Sequence, residues 1–268
     1  MVFWKRIFVV LVAFFVAFVT LVPCFAEEEK TEKAEKALSG EVSLAALSQY
    51  IWHGYEMSRN SVVLQPSFTL SYKGFSANIW GNWDSDPYAG GDRWNETDYT
   101  LSYEGEYGIL NYGAGYMYYD MDGSDYSQEV SLKLGLNIPL SPTLTVYREV
   151  GHSRYWYFLL GVSHSFPLAK RLALDLSASA AYLVSTDKTA YPKVDGEGSE
   201  TGSKYNNFHD GTLTIGLPYK ISDNITITPT LSYTFPLCRD ARREMKYFSM
   251  TGQDANFLYG GVIFAYSF

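Results

Sequence analysis

The chain carries four histidines, and three of them have neighbours that could do chemistry. His152-Ser153 and His164-Ser165 are adjacent pairs, and a histidine that activates a serine is the heart of an acyl hydrolase. Neighbouring residues on a strand point to opposite faces, however, so neither pair makes that contact locally. His209-Asp210 has no nucleophile placed beside it. The expectation is therefore that the chain is not an enzyme, with a hydrolase kept as an alternative. Asp120, Asp122 and Asp125 are grouped as in a calcium loop, but the glycine is misplaced and no glutamate closes the set, so they read as a solvated acidic loop. No metal and no cofactor is expected. Arg239, Arg242, Arg243 and Lys246 place four cations within eight residues, a density suited to binding anions.

Whatever these groups do depends on the elements that hold them, and those elements alternate with period two. Val130, Leu132, Leu134, Leu136, Ile138 and Leu140 share one parity, while Ser131, Lys133, Gly135, Asn137 and Pro139 take the other. Ile225, Ile227, Leu231, Tyr233, Phe235 and Leu237 oppose Thr226, Thr228, Thr230, Ser232 and Thr234. A helix repeats every 3.6 residues, so this is strand patterning. It gives twelve strands, near 41–52, 61–72, 75–84, 96–106, 109–119, 126–140, 144–150, 156–168, 172–185, 208–221, 225–237 and 256–268.

Three features separate a membrane barrel from a soluble sheet. Most segments are longer than the five or six residues of globular strands and match the 9 to 11 or so needed for a tilted crossing. Short turns, such as Lys73-Gly74, Ser141-Pro142-Thr143 and Ser222-Asp223-Asn224, alternate with longer connections at 53–60, 85–95, 120–125, 151–155, 186–207 and 238–255. Aromatic residues collect at strand ends, among them Tyr72, Trp83, Tyr103, Trp156, Tyr219, Tyr266 and Phe268, as in the girdles of outer-membrane barrels. The predicted fold is an all-β, transmembrane, antiparallel up-and-down barrel of twelve strands at 41–268. Its apolar parity faces lipid. A soluble periplasmic β-sheet binding protein is the alternative, but its wetted face would carry more Lys and Glu than the Ser, Thr and Gly found here.

The lumen parity then supplies Gln49, Gln65, Asn78, Trp80, Asn82, Asp98, Glu104, Glu129, Lys133, Asn137, Tyr147, Glu149 and Asp175 as pore-lining residues. Twelve strands lie between the eight that side chains fill and the sixteen that leave an aqueous channel. The expectation is a narrow pore for small polar solutes or ions, leaning toward cations. The opposing reading is a structural barrel plugged by pairs such as Lys133 with Glu149. The four cations at 239–246 make a basic eyelet if their loop enters the pore; the preferred expectation is that they meet lipopolysaccharide phosphates outside. Arg148 and His164 fit badly, since both lie on the lipid parity, where an Arg near the midplane costs about 2–4 kcal/mol. Either a bulge turns Arg148 inward or its strand ends early. His164 is placed near the periplasmic interface.

Composition agrees with this reading. Aromatics make up 17% of the chain, including 23 Tyr, and charged residues 19%, against about 25% in soluble domains. That excludes disorder, and a net charge of −8 argues against nucleic-acid partners. Lys5 and Arg6, an apolar run from Ile7 to Val22, then Pro23 and Ala26 have the layout of a signal peptide at 1–26. Residues 27–40, where Glu and Lys alternate, are expected to form a charged periplasmic tether. The protein is thus expected in the bacterial outer membrane, contacting its lipid and lipopolysaccharide.

Val42-Ser43-Leu44, Ser48-Gln49-Tyr50-Ile51-Trp52-His53-Gly54-Tyr55, Leu64-Gln65-Pro66 and Gly74-Phe75-Ser76-Ala77-Asn78-Ile79-Trp80-Gly81-Asn82-Trp83 resemble the opening of the TorF family of outer-membrane porins. His53 stands where that family has Arg. Leu160 to Phe166 and Leu172 to Tyr182 resemble it more loosely. The resemblance implies a barrel with a channel role. The final strand, with Leu258, Val262, Phe264 and Tyr266 alternating up to Phe268, resembles the signal read by the barrel-assembly machinery.

Overall fold

The computed structural model describes residues 38–268. The expected signal peptide at 1–26, and the tether up to residue 37, lie outside the described residues. Twelve long strands form one antiparallel ring. They are β1 (Ser39–Leu47), β2 (Val63–Tyr72), β3 (Phe75–Asp84), β4 (Trp94–Tyr107), β5 (Leu110–Met121) and β6 (Ser127–Leu136). The rest are β7 (Thr143–Glu149), β8 (Tyr155–Ala169), β9 (Leu172–Ser185), β10 (Asn206–Gly216), β11 (Ile225–Pro236) and β12 (Phe257–Ser267). Each pairs with its sequence neighbours, and β1 pairs with β12 from Glu41↔Ser267 to Leu47↔Gly261, which closes the ring. No edge is left open, as hydrocarbon requires. At that seam, a Cβ on Gly261 would stand 1.9 Å from the Ala46 carbonyl oxygen, so only glycine lets the strands approach.

The orientation follows the sequence parity. On β6, Leu132 is 64% exposed while Glu129 is fully buried; on β11, Leu231 is 49% exposed and Thr234 only 1%. Apolar side chains face out and polar ones in, the reverse of a soluble sandwich. Lipid supplies the missing apolar contact.

Boundaries fall within two or three residues of expectation with three exceptions. The first strand stops at Leu47, and 48–60 turns into the barrel. There Ile51–Trp52 and Tyr55–Glu56 form a small hairpin whose turn, His53-Gly54, has positive φ at both residues. The sixth stops at Leu136, not 140: Pro139 and Pro142 cannot donate to a ladder, and Leu140 and Ser141 take positive φ in a turn. The tenth breaks at Leu217-Pro218 and resumes as Tyr219–Lys220. At the other edge, Ser39 and Gly40 already belong to the wall, although they were expected in the tether.

Arg148 faces outward after all. It lies one residue from the loop end of β7, with its guanidinium 5.1 Å from the Trp156 ring and a 3.1 Å hydrogen bond to the Thr186 hydroxyl, which keeps it at the rim and not at the midplane. His164 also faces out, five residues from the turn end of β8.

The long connections carry structure of their own. A helix, α1 (Arg239–Phe248), follows β11, with Cys238 as its cap: the sulfur accepts from Ala241 N–H and lies 3.2 Å from the Phe208 carbonyl. In the 186–207 connection, Pro192–Val194 pairs with Glu200–Lys204, and Lys193 reaches Asp240 of α1 at 3.2 Å.

Candidate functional site

The lumen divides into two unlike halves. At the turn end lies an open cavity of about 1070 Å³, lined by Ser71, Ser76, Asn111, Asn137, Ser141 and Thr143 with Lys133 and Glu104. Lys133 pairs with Glu104 at 2.9 Å, and not with Glu149 as the plugged reading supposed. The reason is axial position: Lys133 stands opposite Thr145, four residues along β7 from Glu149. Asn111 and Asn137 bond each other at 2.7 Å. Small hydroxyl and amide groups leave this half roomy.

The loop half is filled. Segment 48–60 and α1 fold into it and pack with the wall residues Tyr155, Tyr157, Leu183 and Phe257. Along α1, Ala241, Glu244 and Met245 are buried against the lumen. The two inserted pieces are fastened to each other. Tyr55 donates to both Glu244 oxygens at 2.8 and 2.9 Å. Glu56 N–H donates to the Ser249 hydroxyl at 3.1 Å, and Met250 N–H to the Glu56 carbonyl at 2.8 Å. The Glu56 carboxylate accepts from Thr251 N–H, the Thr251 hydroxyl and the Gln49 amide. They form one plug made of two loops.

Wall contacts hold the plug from several sides. The His53 ring stacks on Tyr157 at 3.9 Å between centroids, and Tyr157 donates to Asp210 at 2.7 Å. His209 Nε2 lies 3.1 Å from the His53 carbonyl. Its Nδ1 lies 3.4 Å from Glu244, too misaligned for a hydrogen bond. Burial pushes the Glu244 carboxyl up to about 8, with Asp210 adding to the rise and the Tyr55 bond opposing it. Burial likewise drives His53 down to about 3, so it is neutral. His209 and Asp210 are both buried because the register shifts opposite Ala180 to Tyr182, which turns two consecutive residues inward. Sequence parity alone could not show that.

Of the pore-lining candidates, Gln65, Asn82, Glu129 and Glu149 are buried in the lumen. Gln65 donates to Asn82, and Asn82 to Asn95. Glu129 accepts from Tyr119 at 2.6 Å and from Tyr155, and stands across from Glu149, whose carboxylate accepts from Ser127 and Gly151. Asn78 bonds Ser67 and Thr69; Trp80 contacts Tyr50; Tyr147 contacts His53. Asp98 and Asp175 are half-buried on the same face. Gln49 is inside too, but on the plug and not on a strand. Sequence reasoning missed Tyr55, Glu56, His53 and Glu244, since nothing local says that a loop folds inward. Arg239, Arg242 and Lys246 are exposed on the face of α1 away from the lumen, and Arg243 is half-buried, so the basic eyelet does not form.

Seven carboxylates, those of Glu56, Asp84, Glu96, Glu129, Glu149, Asp210 and Glu244, are buried among the described residues, whereas no Lys or Arg is. No group of three or more His, Cys, Asp or Glu placed to hold a metal occurs among them. The closed half is thus a constriction rich in carboxyl groups and tyrosines.

No family model and no curated protein matches the chain. Among solved structures, the chain is similar to the NanC porin at a TM-score of 0.51 and 10% identity, over 86% of this chain and 98% of that one. It is less similar to LpxR from Salmonella typhimurium, at a TM-score of 0.48 and 10% identity over 85% and 99% of the two chains. An outer membrane channel from Pseudomonas putida F1 gives 0.44 and 8%, over 90% and 100%. Likenesses this weak choose neither channel nor enzyme, and the TorF resemblance gains nothing beyond the barrel. The fold is that of a bacterial outer-membrane β-barrel, porin-like in architecture.

Proposed function

We propose that this protein is an outer-membrane channel for passive movement of small polar solutes or ions, closed at its outer end by its own plug and selective for cations. The observation that carries the reading is the pairing of a roomy polar vestibule at the turn end with a constriction whose stopper belongs to the loops and not to the wall. Loop segments are the parts of a barrel able to move without breaking the ladder. Carboxyl oxygens lining the lumen, with no buried Lys or Arg among the described residues, favour positive ions in transit once the plug opens and water reaches them. In this reading the chain catalyses no reaction, and a lipase assay on the same preparation checks that. Phe268, 53% exposed beside Tyr266, suits recognition by the assembly machinery.

A second reading, a permanently plugged structural barrel, is favoured by the dense packing of Tyr155, Tyr157, Leu183 and Met245. Planar-bilayer recording separates the two. Wild-type protein should give small cation-selective steps, and a variant with 239–255 replaced by a short linker should conduct steadily. A silent wild type at high protein loading, beside a conducting variant, would make the plug structural and sink the channel.

A further inference from the structure

The basic residues of α1 form an ordered surface. Arg239, Arg242, Arg243 and Lys246 fall at i, i+3, i+4 and i+7, so they make one stripe along the helix. The opposite face, with Ala241, Glu244 and Met245, is locked into the lumen, so the stripe is fixed in direction. None of the four is in a contact ion pair among the described residues. Backbone N–H groups hold the Asp195 and Asp254 carboxyls below their ordinary value, and Arg243 and Arg242 respectively add to this only at longer range. The acids around them have hydrogen-bond partners of their own. Asp240 holds Lys193 and Asn207, Glu200 accepts from Tyr247, and Asp195 and Asp254 accept backbone N–H groups of their own loops.

The height of the stripe is also fixed. Arg239 follows the last residue of β11, Pro236, by only three positions. Tyr233 and Phe235, stacked on the outer wall at 5.5 Å between centroids, mark the aromatic level of that strand end. Just above such a girdle lie lipid head groups. From Arg239 to Lys246 the helix rises about 10 Å, enough to meet two phosphates on one saccharide.

We propose that this stripe is a binding site for the phosphorylated sugar head group of lipopolysaccharide, seated on the outer face of the plug helix. Arginine binds phosphate in a bidentate fork, which a diffuse surface of lysines does not reproduce. The proposal needs the loop end of the barrel to face outward; it does not need the barrel to conduct.

Binding of purified lipopolysaccharide to the detergent-solubilised barrel tests it, against dephosphorylated lipopolysaccharide and inorganic pyrophosphate. The four charges are replaced together as R239Q, R242Q, R243Q and K246Q, and heat-modifiable migration confirms that the variant is folded. Wild type should bind lipopolysaccharide at least about tenfold more tightly than the variant does, and than it binds the dephosphorylated form. Equal binding by variant and wild type, or by the dephosphorylated form, would overturn the site. Pyrophosphate binding as tight as that of lipopolysaccharide would reassign it to a soluble phosphorylated ligand. A second variant with all three arginines changed to lysine should lose part of the affinity, because charge remains and the forks do not. Bilayer recording on the same preparations reads the channel separately, so each reading can fall without the other.

Discussion

Glu244 sets the pH behaviour of the plug. Its carboxyl lies at about 8 when docked, against an ordinary 4.5, so the docked helix keeps a proton that a released helix gives up. Docking is fully favoured below the ordinary value and weakens as pH rises through 8. His53 acts in the opposite sense: held neutral by burial at about 3, it disfavours docking as pH falls below its ordinary 6.5. If the barrel conducts as proposed, it should open more often at about pH 9 than at about pH 7, with Glu244→Gln abolishing the alkaline rise; identical pH profiles for the two would count against this. Tyr55→Phe removes the hydroxyl that bridges the two loops and should weaken docking by about 1–3 kcal/mol, read as faster amide exchange across 239–248. That residue pairing was not legible in the sequence, because its partners lie 189 positions apart on two loops. Glu129 and Glu149 were legible, since strand parity alone put them in the lumen.

At the scale of elements, alternation located all twelve strands, and it erred where backbone chemistry overrode it. Ile138 and Leu140 keep the apolar parity of β6, yet two prolines end the ladder before them. The first strand was overextended because Tyr50 and Trp52 look like a girdle, whereas they enter the plug. The seam between β1 and β12 carries the sharpest element-level prediction. Gly261→Ala puts a methyl group against the Ala46 carbonyl and should abolish the fast-migrating band of the unboiled protein. A normal band would show that the strands can part at no great cost. The helix was legible only as a cluster of charge; its amphipathic face emerges once Glu244 and Met245 are seen beneath it.

For the whole molecule, the inside-out distribution of polarity was readable from composition and parity together, and the division of the lumen was not. Loops obey no period, so a sequence that states where the wall runs is mute about what fills it. A closed ring with lipid-facing Leu132, Leu231 and Leu258 should resist sodium dodecyl sulfate at room temperature and change mobility on boiling. Mobility unaffected by boiling would show that the ring is not closed.

The partner of the first strand is the last, with Glu41 and Ser267 separated by 226 positions. One flank of Ser39–Leu47 therefore stays without a partner until Phe257–Ser267 has joined it. Until then the unfinished barrel carries an open edge primed to join another copy, so the last hairpin to dock is the step that separates closure from aggregation.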